Sequence, residues 1–119
     1  MAVPEFQSLM LPILESIGDG KTHTAAQVRE SVIAALSLTK RDLAQQPPNG
    51  SKSVFMIRFT WAVTYLAEAG LLARPKRGRY RITPRGRETL AAGVSRITAT
   101  YLYQFPEFKD FRNRWRKRP

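Results

Sequence analysis

The stretch KSVFMIRFTWAVTYLAEAGLLARPKRGRYRITP, residues 52–84, changes its periodicity part-way along. In its first half, apolar residues recur every three or four positions, which is the spacing of one face of a helix. This inner stripe consists of Phe55, Phe59, Ala62, Leu66 and Ala69. Gly70 follows the stripe and is typical of a residue that ends a helix. The pattern therefore predicts a helix over residues 52–70.

The second half of the stretch has the pattern of a β-hairpin. Two strand-like pieces, LLARP and RYRIT, flank a short glycine-containing loop at residues 76–78. Alternation along the second piece puts Tyr80 and Ile82 on one face and Arg79 and Arg81 on the other. We therefore expect an apolar face that anchors the hairpin and a basic face on its other side.

Further helices are predicted on both sides of this stretch. Apolar spacing predicts a helix over residues 5–17, and the pair Thr24–Gln27 indicates the cap of a second helix. The pair Thr39–Asp42 indicates a weaker cap for only a short turn of helix. Thr83-Pro84 is typical of a helix start, and Pro106 begins a last helix. Three helices followed by a hairpin is the order of a winged helix-turn-helix. The predicted fold class is mainly α with a small β-hairpin (α+β), a winged helix-turn-helix with an added C-terminal helix.

The excess positive charge is confined to the C-terminal part of the chain. The formal net charge is +11. Residues 1–72 hold six Lys and Arg and six Asp and Glu, whereas residues 73–119 hold fourteen and three. A surface that is merely soluble normally mixes both signs. The asymmetry therefore favours a nucleic acid or another anionic surface as partner.

The predicted DNA-contacting residues lie on the long helix and on the hairpin. In a winged helix the third helix lies in the major groove, while hairpin cations bind backbone phosphates beside it. Free N–H groups at the start of helix 52–70 offer a further phosphate site. The candidates are Lys52, Ser53, Arg58, Arg74, Lys76, Arg77, Arg79 and Arg81. The alternatives are a salt bridge to the first helix for Arg58 and a solvent-facing basic turn for the hairpin.

The outer face of helix 52–70 is more apolar than a DNA-reading face is expected to be. Met56, Ile57 and Trp61 lie away from the inner stripe. Either another element covers them, with the Phe108–Trp115 stripe of the last helix as candidate, or they contact thymine methyl groups. A third interpretation is a docking patch for a partner protein. The sequence leaves all three open.

Little in the sequence points to catalysis. His23 is the single histidine, there is no cysteine, and no phosphate-binding glycine loop is present. Glu107-Phe108-Lys109 matches the E-x-K fragment of metal-dependent nucleases, but it lies on a predicted helix without a plausible partner aspartate. We therefore expect no catalytic residue, no metal site and no cofactor, and the chain is predicted not to be an enzyme.

Length and hydropathy predict one domain without a membrane partner. A chain of 119 residues suits one core, and no apolar run reaches the length of a membrane span. We assign residues 1–95 to a winged-helix DNA-binding domain and residues 96–119 to a basic extension whose helix docks on it. The absence of cysteine and of a basic signal-peptide start favours the cytoplasm.

Three segments of the sequence are similar to one known protein family. They are VPEFQSLMLPILESIGDGK (3–21), VFMIRFTWAVTYLAEAGLLARPKRGRYRITPRGRETL (54–90) and YQFPEFKDF (103–111). They resemble the N-terminal domain of Mrr-type restriction endonucleases, which restrict foreign or methylated DNA. The resemblance implies a winged-helix module that binds double-stranded DNA. It also implies that residues 96–119 lead to a PD-(D/E)-x-K nuclease domain, in the same polypeptide or a partner chain, that is missing from this sequence.

Two other functions stay open at this point. A stand-alone transcription regulator with a winged helix predicts a homodimer on a palindromic site. A protein-interaction module uses the apolar face around Trp61 instead. Two measurements distinguish the three functions. The dependence of duplex affinity on Arg77 and Arg79 distinguishes the DNA-binding functions from the interaction module, and a palindromic binding site distinguishes the regulator.

Overall fold

The fold is that of a computed structural model, and the structure describes residues 3–48, 50 and 52–116. Seven helices and three short strands follow one another along this part of the chain. They are α1 (Gln7–Ser16), β1 (His23–Thr24), α2 (Ala25–Ala35), α3 (Lys40–Ala44), α4 (Val54–Glu68), β2 (Leu72–Ala73), β3 (Arg79–Ile82), α5 (Pro84–Ala91), α6 (Ala99–Leu102) and α7 (Pro106–Arg116). The predicted fold class, mainly α with a small β component, is confirmed.

The sheet contains one more strand than the sequence predicts. β3 lies in the centre and pairs antiparallel with both neighbours, in the order β1-β3-β2. Leu72 is opposite Ile82 in the hairpin, and His23 of β1 is opposite Tyr80. β1 was not predicted as a strand of the sheet, because the sequence around it carries no signal for a partner more than fifty residues away. β1 therefore covers the edge of β3 that a two-stranded hairpin would leave open.

The hairpin strands are shorter than the predicted LLARP and RYRIT pieces. β2 ends at Ala73, so Arg74 and Pro75 belong to the connecting loop. Proline has no N–H to donate to a strand ladder, which explains why pairing stops before it. The loop is therefore longer than predicted and places Arg74 at the edge of the sheet.

α4 is the central helix of the domain. Its N-cap is Ser53, whose hydroxyl accepts a hydrogen bond from the Met56 N–H at 3.1 Å. All five residues of the predicted inner stripe are buried, which confirms the stripe: Phe55, Phe59, Ala62, Leu66 and Ala69. Tyr65 is also buried, because Phe6 and the C-terminal helix α7 cover that flank of α4.

Local capping signals explain where the other helices begin. The capping boxes at Thr24 and Thr39 are both formed, each by a threonine hydroxyl and the side chain three residues later. Thr83 caps α5 through the Gly86 N–H, with Pro84 at the first helical position. α6, which Thr98 caps, was not predicted. A four-residue helix contains too few apolar positions to produce a periodic pattern.

α7 packs against α4 through an aromatic cluster. Phe108 is fully buried, and its ring lies 5.2 Å from that of Tyr65. Arg112 donates to the Tyr65 hydroxyl at 2.6 Å and to the Tyr103 hydroxyl at 3.1 Å. α7 is therefore held on the domain by apolar contacts and by the hydrogen bonds of Arg112 to two tyrosine hydroxyls, among other polar contacts.

None of the helices in the described ranges combines the length and hydropathy that a membrane crossing requires.

Candidate nucleic-acid interface

The hairpin formed by β2, β3 and their loop projects from the domain and is called the wing here (residues 72–82). Its inner side is anchored: Ile82 is buried, and the Tyr80 ring lies 6.5 Å from the Phe59 ring of α4. Burial raises the pKa of Tyr80 above its usual value, with Arg74 and Arg29 opposing the shift. The wing therefore sits against α4 in a fixed position, as the alternation of its residues predicts.

The tip of the wing is a tight turn. The Arg79 N–H donates to the Lys76 carbonyl at 3.0 Å, and Gly78 has φ +74°. Among the described residues only Ser37 is a non-glycine with positive φ, so Arg77 is in the ordinary region and the turn has the type II pattern. Such a turn requires glycine or asparagine at this position, because a Cβ makes positive φ costly. It carries Lys76 and Arg77 at the outermost point of the wing.

The five cations of the wing are exposed and have no acidic partner. None of the ion pairs within residues 3–48, 50 and 52–116 involves them. The single side-chain contact among them is a weak hydrogen bond of 3.4 Å from Arg79 to the Gly78 carbonyl. They are Arg74, Lys76, Arg77, Arg79 and Arg81. An exposed set of like charges held on one small element is what a polyanion binds.

Several arginines outside the wing have partners within the fold. Arg85 donates to the Ala69 carbonyl at 2.8 Å and pairs with Glu107 at 3.0 Å. Arg96 pairs with Glu5 at 2.6 Å, and Arg114 with Glu68 at 3.4 Å. These arginines therefore have structural contacts that the wing cations lack. The E-x-K glutamate, Glu107, is thus an ion-pair partner that helps to fix α7.

Arg58, predicted as a DNA contact, is hydrogen-bonded to the N-terminal segment. Its Nη1 atom donates to the Val3 carbonyl at 2.6 Å and to the Pro4 carbonyl at 3.2 Å. The salt bridge to the first helix that was the alternative is not the observed contact, since the acceptors are backbone oxygens. The contact spans more than fifty residues of sequence, and no local signal announces it.

Lys52 and Ser53 lie together at the start of α4. Lys52 is exposed, and the Ser53 hydroxyl caps the helix. The predicted DNA-contacting residues therefore form two groups, one at the start of α4 and one on the wing that packs on α4. Arg58 belongs to neither group, because it binds the N-terminal segment.

The outer face of α4 is partly covered. Trp61 contacts Trp115 of α7 at 5.4 Å between ring centroids, and its side chain is 36% exposed. Met56 and Ile57 are half-buried, and the exposed Thr60 hydroxyl donates to the Met56 carbonyl. Of the three interpretations of this face, coverage by the last helix is therefore realised for Trp61.

His23, the single histidine, lies beside the wing and not in a catalytic cluster. Its Nε2 contacts Asp19 at 2.9 Å, and this hydrogen bond is the main cause that lowers the pKa of Asp19. Within the described part of the chain, no three His, Cys, Asp or Glu side chains come together in a way that could hold a metal ion.

Arg87 is a basic residue near the wing that the sequence did not single out. It is exposed on α5 and borders the same surface depression as Arg81. Its position in the sequence does not predict that it lies near the wing, because α5 and β3 come together only in the folded structure.

Comparison with protein families gives one match, the Mrr N-terminal domain, over residues 6–92. The match spans α1 through α5 and includes the wing. No curated protein and no solved structure gives a significant match. Because the family model covers well over half of the chain, the chain belongs to the Mrr N-terminal domain family.

Proposed function

We propose that this chain is a winged-helix module that binds double-stranded DNA for an Mrr-like restriction system. The observation that carries the proposal is the wing. Its cations are exposed and have no acidic partner among the residues that the structure describes, while its inner side is anchored on α4 through Tyr80 and Ile82. Family membership supports the restriction context. A rigid basic element beside a central helix is suited to grip the phosphate backbone of a duplex.

α4 lies in the major groove and the wing holds the neighbouring backbone. Each phosphate that a cation neutralises releases condensed counterions, and this release drives binding of any sequence. Lys76 and Arg77 at the tip reach furthest, and Arg74 and Arg79 flank them. These contacts position the duplex without reading its bases.

The start of α4 supplies a second group of contacts. Lys52 reaches a phosphate with its ammonium group. The Val54 and Met56 N–H groups are already engaged by the Gln45 carbonyl and the Ser53 hydroxyl, so Lys52 is the donor that we propose at this end of α4. We propose a structural role for Arg58, since two backbone carbonyls occupy its Nη1 atom.

The proposed context is a larger nuclease. Residues 1–95 form the DNA-binding domain, and residues 96–119 form an extension docked through α7 that leads to a nuclease domain in the same polypeptide or a partner chain. The module itself binds without catalysis, metal or cofactor, and it works in the cytoplasm. Cleavage then depends on the nuclease domain, which this module brings to the duplex.

The test is duplex titration of a double variant with a matched control. Arg77→Ala/Arg79→Ala removes two wing cations, and Lys40→Ala/Arg41→Ala removes two exposed cations of α3. Both variants lose the same charge, so a general electrostatic effect weakens binding equally. The proposal expects the wing variant to bind at least about tenfold more weakly than the control at low salt. Equal affinities of the two variants would contradict it.

A second candidate is a protein-interaction module. A groove of about 330 Å³ is lined by Phe6, Trp61, Tyr65 and Trp115, and aromatic side chains of this kind are common at protein interfaces. This function expects Trp61→Ala to abolish partner binding while Arg77→Ala/Arg79→Ala leaves it unchanged. The DNA-binding proposal expects the reverse dependence for duplex affinity.

A further inference from the structure

A surface depression lies at the base of the wing, on the side turned away from α4. It has a volume of about 450 Å³ and is lined by Ala73, Arg81, Ile82, Thr83, Pro84 and Arg87. Tyr80 and Ile82 point from β3 toward the core, so Arg81, between them, points to the opposite face. Arg81 therefore extends from the face of β3 opposite to the one through which Tyr80 contacts α4.

The lining of the depression is positively charged without compensation. Its two charged members are Arg81 from β3 and Arg87 from α5, and no acidic residue lines it. Neither guanidinium takes part in an ion pair or a side-chain hydrogen bond found within the described residues. The Thr83 hydroxyl is already engaged, because it donates to the Gly70 carbonyl and accepts from the Gly86 N–H. The free donors at this site are therefore the two guanidinium groups.

The position of Arg87 is restricted by the turn after α1. A Cβ atom at position 20 would lie 2.5 Å from the Arg87 Nη2 atom. Gly20 has φ +83°, so its lack of a side chain serves both the turn and the close approach of the arginine. The guanidinium therefore rests against the turn rather than extending freely into solvent, which reduces the entropy lost when it binds a ligand.

We infer that Arg81 and Arg87 form a second phosphate-binding site, distinct from the tip of the wing. Planar guanidinium groups from two elements match the several oxygens of one phosphate, each through paired N–H donors. The ligand chemistry is a phosphate group. It comes either from the backbone of the duplex held by the wing, which rests on the proposed function, or from a separate phosphate-bearing molecule.

The site is tested with inorganic phosphate on the whole chain in the absence of DNA. Arginine Nε–H signals of Arg81 and Arg87 are followed by NMR, with sodium chloride at equal ionic strength as the reference. We expect saturable shifts that chloride does not produce. Arg87→Ala weakens the apparent affinity about two- to fivefold, and Arg41→Ala, at an exposed position on α3, does not change it. Equal shifts with chloride, or an unchanged affinity in Arg87→Ala, would overturn the site.

A second experiment identifies the source of the phosphate. If the bound duplex supplies it, Arg87→Ala reduces the slope of log affinity against log salt by about one. If phosphate binds but this slope is unchanged, the ligand is a separate molecule. Because the phosphate titration contains no DNA, its result for this site can be interpreted even if the chain does not bind a duplex. The two proposals therefore fail independently.

Discussion

Arg58 fastens the N-terminal segment to α4, and its removal is expected to destabilise the fold. Arg58→Ala leaves two backbone carbonyls without their donor, at a cost of about 1–3 kcal/mol. Arg96→Ala is the matched control, since Arg96 holds the same segment through Glu5 but in an exposed pair, worth about 0.2–1 kcal/mol. Urea unfolding measures both. A smaller loss for Arg58→Ala than for Arg96→Ala would contradict the structural role.

Tyr80 gives the anchored wing a dependence on alkaline pH. Its pKa is raised by burial above the ordinary 10.0, so the folded state retains the phenol proton longer than the unfolded state. The stability that neutral Tyr80 supplies is complete below the unfolded-state pKa and is lost as pH rises through the higher folded-state pKa. We expect the free energy of unfolding to fall more steeply above about pH 10 in the native chain than in Tyr80→Phe. Parallel curves would contradict the anchor.

At the residue scale, the sequence predicts local roles well and distant ones poorly. The faces of Tyr80 and Ile82 follow from strand alternation, and the cap at Thr83 follows from its neighbours. The hydrogen bonds of Arg58 were missed because their acceptors lie more than fifty residues away. The sequence does not show whether an arginine on a helix contacts DNA or a backbone carbonyl.

The turn at the wing tip presents the cations. Two glycines allow its effect on binding to be separated from a general loss of stability. Gly78 and Gly93 have similar φ values, +74° and +69°, and a Cβ at either would meet no atom within 4 Å. Ala at each position therefore costs stability by the same conformational mechanism, about 1–2 kcal/mol. We expect Gly78→Ala to weaken duplex binding and Gly93→Ala to leave it unchanged. Equal effects on binding would show that the tip geometry is unimportant.

α7 is expected to depend on one buried side chain. Phe108 is fully buried whereas Trp115 is 39% exposed. Phe108→Ala should therefore lower the free energy of unfolding by about 3–5 kcal/mol, and Trp115→Ala by clearly less. Thermal or urea unfolding measures the difference. Similar losses would contradict docking through Phe108.

At the element scale, periodicity and caps predict the long elements, whereas pairing and short helices depend on the fold. The inner stripe of α4 was predicted residue by residue. β1 was not placed in the sheet, and α6 was not found, because neither carries enough residues for a pattern. Arg87 and Arg81 border the same depression only because α5 packs beside β3, so the sequence does not predict that they lie near each other.

At the scale of the whole molecule, two groups of cations differ in their surroundings. One group holds the structure: Arg58, Arg85, Arg96, Arg112 and Arg114 all have internal partners. The other group covers the wing and its base, where no acidic partner is found within the described ranges. The uneven charge along the sequence predicted a polyanion as ligand. The internal contacts indicate which arginines are already engaged.

The salt dependence of duplex binding tests this account most directly. If the wing and the start of α4 contact four to six phosphates, log affinity falls with log salt at a slope of roughly −4 to −5. Arg77→Ala/Arg79→Ala should make that slope shallower by about two, whereas Lys40→Ala/Arg41→Ala should leave it unchanged. No duplex binding at low salt, or a wing variant with the native slope, would contradict the claim that the wing binds DNA.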